Sequence, residues 1–247
     1  MKRDEFLKLV SIAAAGIQLG FNSKSLILNL DNKAIQQALG LDDSHLVSEF
    51  IKLEKNTYQA FSQMKSKAAE AGIDINIVSG YRSFEHQKEI WERKFKHLTS
   101  EKKPLQAIME IIKYSSIPGT SRHHWGTDID IIDSAAQAPS GDLLIEKHYH
   151  NNGTFSKLKS WMDLNSKDFG FELVYTNDKE RTGFKYEPWH YSFKPESKKY
   201  LKIQSQDNFL KAWQNLEFEG KSYLTDEFIT TYFETYNLGI NPVLMQF

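Results

Sequence analysis

The hydrophobic residues of the first half of the chain predict a helix followed by a strand. Between Phe50 and Ala71 apolar residues recur every three or four positions, which is the spacing of an amphipathic helix, and Gly72 supplies a C-terminal stop. Isoleucines then alternate with polar residues in the run IDINIVSG, the period-two pattern of a strand with one buried face. We expect this strand to end at Gly80.

Helices and short strands alternate through the rest of the chain. Ser83 can cap a helix through FEHQKEIWERKFK, Pro104 can open another, and a loop rich in Pro and Gly precedes a second strand over Thr127 to Ile132. A helix from about Phe155 to Lys167 and short strands around FELVY and WHYSF follow. No Gly-rich phosphate loop follows either early strand, which argues against a parallel doubly wound sheet. The pattern therefore predicts the mixed α+β class.

The tail from about Gln204 onward is rich in aromatic residues and helical in pattern. Two helices are expected here, and Thr225 is a plausible N-cap for the segment DEFITTYFETY. We expect the tail to form a packed helical extension rather than a catalytic part.

The N-terminal residues have the pattern of an export signal. Lys2 and Arg3 precede a short apolar stretch from Leu9 to Phe21, which is too short to span a bilayer as a permanent helix. We therefore expect an exported protein of the periplasm or cell envelope, without a stable transmembrane anchor. The alternative is an amphipathic N-terminal helix that packs on the domain.

Charge and cysteine content narrow the functional classes. The 31 Lys and Arg residues nearly balance 32 Asp and Glu, so the formal net charge of -1 offers no basic field for nucleic acid. The chain contains no cysteine, which excludes disulfides, thiol catalysis and thiolate metal sites. A metal ion would have to be held by His, Asp or Glu.

The stretch SRHHWGTDIDIID combines imidazoles and carboxylates where a loop enters a strand. His123 and His124 lie at the kind of junction where functional sites are commonly built. In an extended strand Asp128 and Asp130 share one face, while the intervening isoleucines face the core. Zinc accepts both imidazole nitrogen and carboxylate oxygen, at about 2.0 to 2.2 Å. The stretch therefore predicts part of a metal site, with an ordinary half-buried strand as the alternative.

A third ligand can come from the segment YEPWHYSF. Glu187 precedes His190 by three positions, and Pro188 favours a turn that enters a strand over a helical placement. In this arrangement His190 binds the metal and Glu187 takes a proton from the bound water.

The spacing alone leaves the ligand set open. Either His123 or His124 can be the first ligand, and Asp128, Asp130 or Asp133 can be the second. A core histidine beside an exposed acid is the alternative to any metal site at this stage.

Together these motifs resemble the VanY-type D-alanyl-D-alanine carboxypeptidases, zinc peptidases of the bacterial cell wall. SRHHWGTDID fits that family's Ser-x-His-(x6)-Asp pattern, and EPWH fits its Glu-x-Trp-His pattern. SGYRS resembles the family's arginine-bearing segment, and the three blocks occur in the family's order. The resemblance covers roughly residues 50 to 198. It implies a Hedgehog/DD-peptidase-like fold, with a small, mainly antiparallel central sheet flanked by helices.

The resemblance also implies a role for each site residue and one Zn²⁺ ion as the cofactor. It assigns metal binding to His123, Asp130 and His190, the general base to Glu187, oxyanion stabilisation to Arg82, and substrate binding to Ser121 and Gln87.

The implied substrate is the stem peptide of peptidoglycan, cleaved at its terminal D-alanine by metal-activated water. Endopeptidases and D,D-dipeptidases share this fold, and a peptidoglycan-binding module without catalysis is a further alternative. We expect a monomer that binds no nucleic acid. The expected organisation is an export signal over residues 1–22, a lead-in segment over 23–49, the zinc peptidase domain over 50–198 and the helical extension over 199–247.

Overall fold

A four-stranded sheet forms the centre of the protein, and helices flank it. The computed structural model describes residues 33–47 and 51–246, so the predicted export signal lies outside the described residues. The strands are β1 (Leu46–Val47), β2 (Leu53–Glu54), β3 (Ile75–Ser79), β4 (Asp128–Asp133), β5 (Phe171–Leu173) and β6 (His190–Phe193). From residue 51 onward, the described α-helices are α1 (Lys55–Glu70), α2 (Phe84–Thr99), α3 (Pro104–Ile111), α4 (Ser156–Asn165), α5 (Lys194–Gln204), α6 (Asp207–Gln214) and α7 (Asp226–Tyr232). This arrangement confirms the predicted α+β class.

The sheet has the order β3-β4-β6-β5, and every neighbouring pair is antiparallel. Strand β4 therefore lies inside the sheet, where Asp130 is opposite His190 and Asp128 is opposite Ser192. Because side chains alternate along a strand, these four residues share one face. The isoleucines between the two aspartates and after them are buried in a hydrophobic cluster, as the sequence predicts.

The predicted elements are present, with differences at their ends. Helix α1 begins at Lys55 rather than at Phe50, because β2 precedes it and the Glu54 side chain caps it by accepting a hydrogen bond from Thr57 N. Ser83 and Thr225 are N-caps, as predicted. Helix α5 was not anticipated, and a 3₁₀ turn (Arg122–Trp125) occupies the end of the predicted loop before β4. No helix within the described ranges is long and apolar enough to cross a membrane.

The C-terminal helices pack onto the loop that leads to this turn. The indole Nε1 of Trp213 donates to Pro118 O at 2.9 Å, and the Tyr232 hydroxyl accepts from Ile117 N at 3.2 Å. The Thr120 hydroxyl lies 3.0 Å from the same Tyr232 oxygen. Trp213 and Tyr232 also belong to the hydrophobic cluster that includes core residues of α2 and α3. The tail thus supports the loop that leads to the turn Arg122–Trp125.

Replacing Trp213 by alanine is expected to lower the free energy of unfolding by about 3 to 5 kcal/mol. Its side chain is 2% exposed, so the change leaves a cavity in the shared cluster and removes the hydrogen bond to Pro118 O. Denaturant unfolding followed by circular dichroism measures the loss. The control is Leu164→Ala, because Leu164 is 82% exposed and its loss should change stability by less than about 0.5 kcal/mol. Equal stability of the two variants would contradict the supporting role of Trp213.

Candidate metal centre

Three buried side chains bring potential metal ligands to one point beside strands β4 and β6. One ligand atom each from His123, Asp130 and His190 lies within 4.8 Å of the other two. His123 Nε2 is 3.3 Å from Asp130 Oδ2, and His190 Nδ1 is 3.5 Å from Asp130 Oδ1. The structure therefore brings together two imidazoles and one carboxylate, although they come from segments up to 67 positions apart in the sequence.

The 3₁₀ turn before β4 directs His123 towards the centre. Gly126 ends the turn with a φ of 68°, and a Cβ atom there would lie 2.4 Å from the Leu46 side chain and 2.9 Å from Glu54 N. Glycine is therefore required for both the backbone conformation and the close packing. The His123 ring bonds through Nδ1 to Gly80 O at 2.8 Å. Because a carbonyl oxygen only accepts, Nδ1 carries the hydrogen and Nε2 is left to bind a metal.

Carboxylates surround His190. Its Nδ1 is 3.0 Å from Glu187 Oε2, and its Nε2 is 3.0 Å from Asp128 Oδ2. Burial alone would lower the pKa of His190, but the carboxylates of Asp130, Asp128 and Glu187 outweigh this effect and raise its pKa to about 10. The surroundings of this ring thus favour positive charge.

The residues present fit a divalent metal ion. Asp130 Oδ1 is buried and has no hydrogen-bond partner among the described residues. A buried carboxylate oxygen without a partner is costly, and a metal ion removes that cost. Two imidazole nitrogens and one carboxylate oxygen are ligands that zinc accepts, and no thiolate competes in a chain without cysteine.

Glu187 lies at the edge of the ligand cluster, in the turn that leads into β6. Its backbone N donates to Tyr175 O at 3.2 Å, and its backbone O accepts from His190 N at 3.1 Å. These two bonds fix the turn, so the carboxylate points to His190 while its side chain remains 18% exposed. Glu187 is therefore beside the ligands and partly exposed to solvent, which suits a proton acceptor.

Arg82 flanks the cluster on the side of β3. Its backbone N donates to His123 O at 3.0 Å, and its guanidinium donates to Gln87 Oε1 at 2.8 Å and to Ser79 Oγ at 3.1 Å. A shift in register between β3 and β4 sets Ser79 opposite Asp130. Burial lowers the pKa of Arg82, while the nearby carboxylates of Asp130 and Glu187 oppose this change. The cation is thus held in place close to both carboxylates.

The two residues expected to bind substrate occupy different environments. Gln87 is fully buried behind Arg82, where its Oε1 accepts from the guanidinium and its Nε2 donates to Ser116 O at 2.8 Å. Its contacts hold Arg82 in position. Ser121 precedes the 3₁₀ turn, is 2% exposed, and accepts a hydrogen bond from His124 N through its backbone oxygen. Direct contact of either residue with substrate stays a prediction.

The other candidates in SRHHWGTDIDIID have structural partners. The buried His124 bonds through Nδ1 to Arg82 O at 2.7 Å, while its Nε2 accepts from Gly119 N at 3.2 Å. Burial lowers the pKa of His124 to about 3, so the ring is neutral. The Asp133 Oδ1 atom accepts from two backbone N–H groups, those of Asp74 and Ala135. Neither side chain belongs to the group that can hold the metal.

A network of side chains lies behind the ligands, and it includes Arg122 and Ser192, which the sequence motifs did not single out. Arg122 and Ser192 both donate to the buried carboxylate of Asp128. The opposite charges of Arg122 and Asp128 lie six positions apart, but their contact depends on the turn between them. Ser192 joins them only through the register of β4 and β6.

Comparisons with known proteins place this arrangement in a family. Residues 50–196 match the VanY family, described as D-alanyl-D-alanine carboxypeptidase. A D-alanyl-D-alanine carboxypeptidase of Enterococcus faecalis is 35% identical over 128 residues, which are 49% of this chain and 41% of the relative. The bifunctional D-Ala-D-Ala dipeptidase and carboxypeptidase VanXYC of Enterococcus gallinarum is 29% identical over 121 residues, 49% of this chain and 56% of the relative. The chain therefore spans about half the length of these curated relatives.

The chain also aligns with solved structures. A mutant of the vancomycin-resistance D,D-pentapeptidase VanY from a VanB-type cassette, in complex with Zn(II), is 27% identical with a TM-score of 0.47. The alignment covers 67% of this chain and 87% of that chain. Since the family match alone spans residues 50–196 of 247, the protein belongs to the VanY family of D-alanyl-D-alanine carboxypeptidases.

Proposed function

We propose that the protein is a zinc-dependent D,D-carboxypeptidase that releases the terminal D-alanine of peptidoglycan stem peptides. The observation that carries the proposal is the convergence of His123, Asp130 and His190 on one point, with the Glu187 carboxylate beside them. Family membership supports the substrate class, because both curated relatives are named for D-Ala-D-Ala carboxypeptidase activity.

His123 would hold the ion through Nε2, His190 through Nδ1 and Asp130 through a carboxylate oxygen. Three protein ligands are the usual number in a catalytic zinc site, where a fourth position stays open to water or substrate. When bound, zinc supplies a Lewis acid that polarises a carbonyl oxygen and lowers the pKa of water towards neutrality.

Glu187 is the proton acceptor in this proposal. Its carboxylate lies 3.0 Å from a ligand nitrogen of His190 and is partly exposed, so it can reach water at the ligand cluster. It accepts a proton as water attacks the scissile carbonyl and can pass that proton to the leaving amine. Such general acid–base help commonly contributes about 10²- to 10⁴-fold to the rate.

Arg82 stabilises the negative charge that develops on the carbonyl oxygen. Its guanidinium is preorganised, because Gln87 and Ser79 hold it before substrate binds. A hydrogen-bond donor that is already in place stabilises the transition state more than one that must be ordered during the reaction.

Replacing Arg82 by alanine is expected to lower kcat by about 10²- to 10³-fold, the usual cost of losing one oxyanion donor. Zinc affinity should change little, because Arg82 offers no ligand atom. Steady-state release of D-alanine and zinc titration measure the two effects. The matched control is Arg93→Ala, since Arg93 is an exposed arginine on α2. A rise in KM at unchanged kcat would show that Arg82 binds substrate without stabilising the transition state.

The direct test of the proposed activity uses the purified, zinc-loaded protein and a muropeptide pentapeptide, with products identified by mass. Zinc-dependent release of a single D-alanine supports the carboxypeptidase. Cleavage of cross-linked muropeptides would instead indicate an endopeptidase. Because the Enterococcus gallinarum relative is also named as a dipeptidase, free D-Ala-D-Ala is a second substrate to test. No zinc-dependent product would refute the enzyme and favour a peptidoglycan-binding module.

We further propose that the protein acts outside the cytoplasm, where peptidoglycan is found. The support is the sequence of residues 1–22, in which basic residues precede a short apolar stretch. N-terminal sequencing of the protein from its native envelope should find a chain that starts near residue 23. An intact Met1 on protein from the cytoplasmic fraction would contradict this.

A further inference from the structure

A buried network of charged and polar side chains lies directly behind the ligand His190. Asp128 is fully buried, and its Oδ2 accepts from Arg122 Nε at 2.6 Å and lies 3.0 Å from His190 Nε2. Its Oδ1 accepts from the Ser192 hydroxyl at 2.7 Å, the Thr127 hydroxyl at 3.0 Å and Arg122 Nη2 at 3.3 Å. Both oxygens of this carboxylate are therefore engaged by donors.

In the sheet, this network is next to the cross-strand pair that carries two of the metal ligands. Asp130 and His190 form one cross-strand pair of β4 and β6, and Asp128 and Ser192 form the next pair on the same face. Arg122 reaches the second pair from the turn that carries His123. Its guanidinium carbon lies 4.5 Å from the centroid of the Trp125 ring, which restricts its orientation. The pair Asp130–His190 thus carries two ligands, and the adjacent pair Asp128–Ser192 supports them.

The hydrogen bond between Asp128 and His190 determines which ring nitrogen is available. A carboxylate paired with Arg122 can only accept, so the hydrogen in this bond belongs to His190 Nε2. In a neutral imidazole the other nitrogen, Nδ1, then has a free lone pair. That nitrogen is the one on the side of the converging ligands, 3.5 Å from Asp130 Oδ1 and 3.0 Å from the partly exposed carboxylate of Glu187.

We propose that Asp128 is a positioning residue that holds His190 with its hydrogen on Nε2, so that Nδ1 binds the metal. Arg122 fixes Asp128 through two hydrogen bonds, and Ser192 sets the orientation of the carboxylate. The inference rests on the zinc site of the proposed function. Loss of a hydrogen-bonding partner behind a ligand typically weakens metal affinity by about 10- to 100-fold.

Zinc affinity of the full chain, measured by competition with a chromophoric chelator, tests the proposal. Asp128→Ala should raise the Kd for zinc by about 10- to 100-fold. The double variant Arg122→Met/Asp128→Ala should show the same loss, although it leaves no unpaired buried charge. The control Asp168→Ala makes the same chemical change at an exposed position, and its Kd should stay within about threefold of wild type. Wild-type affinity in the double variant would mean that Asp128 serves only to balance charge, and would overturn the proposal.

A second measurement is made on the wild-type protein itself, so its result does not depend on whether the Asp128 variants fold. Nitrogen-15 NMR of the zinc-loaded wild-type protein, with His190 assigned by its absence in His190→Gln, shows which ring nitrogen carries hydrogen. A protonated Nε2 is expected, and a protonated Nδ1 would overturn the proposal. A wild-type protein that binds no zinc would refute the proposed function itself. Tight zinc binding with unchanged affinity in both Asp128 variants would refute only the role of Asp128.

Discussion

Replacing Glu187 by glutamine is expected to reduce hydrolysis of a D-Ala-D-Ala-terminated peptide by about 10²- to 10⁴-fold while zinc remains bound. Glutamine has nearly the same shape as glutamate, but its amide cannot accept a proton from water at neutral pH. Glu187 is outside the group of three side chains that can hold the ion, so metal affinity should persist. Turnover is measured by D-alanine release, and zinc content by elemental analysis of the same sample.

The matched control is Glu180→Gln, which makes the same chemical change at an exposed position that precedes Glu187 in the chain. This control should keep wild-type activity and zinc content. If Glu187→Gln loses zinc together with activity, Glu187 is a ligand rather than a base. If it retains activity, another group removes the proton, and the proposed mechanism is wrong.

Local sequence patterns predicted those features of the strands and helices that depend only on residues close together in the chain. Alternation of aspartate and isoleucine in β4 identified the apolar face of a strand that is buried on both faces, and the positions of Ser83 and Thr225 predicted two helix caps. Both features depend on residues within a few positions of one another, so periodicity and capping chemistry suffice.

The choice of ligands needed more than local pattern. Periodicity could not separate His123 from His124, because the two rings diverge only when the 3₁₀ turn forms. In the folded chain His123 faces Asp130, whereas His124 bonds to the backbone of Arg82 and Gly119. The family resemblance supplied this choice at the level of sequence, and spacing alone did not.

Long-range contacts were not predictable from the sequence. The bond between Asp128 and His190 joins residues 62 positions apart, and it depends on the antiparallel register of β4 and β6. The aromatic tail was correctly predicted to be helical, but its pattern does not reveal that Trp213 and Tyr232 contact the loop before the turn that carries His123. An amphipathic pattern shows that one face of a helix is buried, but it does not identify the surface that covers that face.

Removing zinc is expected to abolish turnover and to lower the free energy of unfolding. Without the ion, the carboxylates of Asp128, Asp130 and Glu187 surround His190, and Asp130 Oδ1 stays buried without a partner among the described residues. An ion that binds the folded chain alone stabilises it by RT ln(1 + [Zn²⁺]/Kd), about 2.7 kcal/mol at a free concentration of 100 Kd. Thermal and denaturant unfolding after dialysis against a chelator, with and without added zinc, measure this gain.

His123→Ala should abolish both the zinc-dependent turnover and the stabilisation by zinc, because Asp130 and His190 supply only two of the three ligands. Added zinc should then leave its unfolding transition unchanged, and no zinc concentration that saturates the wild type should restore D-alanine release. His97→Ala is the matched control, since His97 is exposed on α2, and it should respond to zinc as the wild type does. If zinc stabilised His123→Ala as strongly as wild type, the ion would bind elsewhere. The convergence of His123, Asp130 and His190 would then reflect charge pairing rather than a metal site.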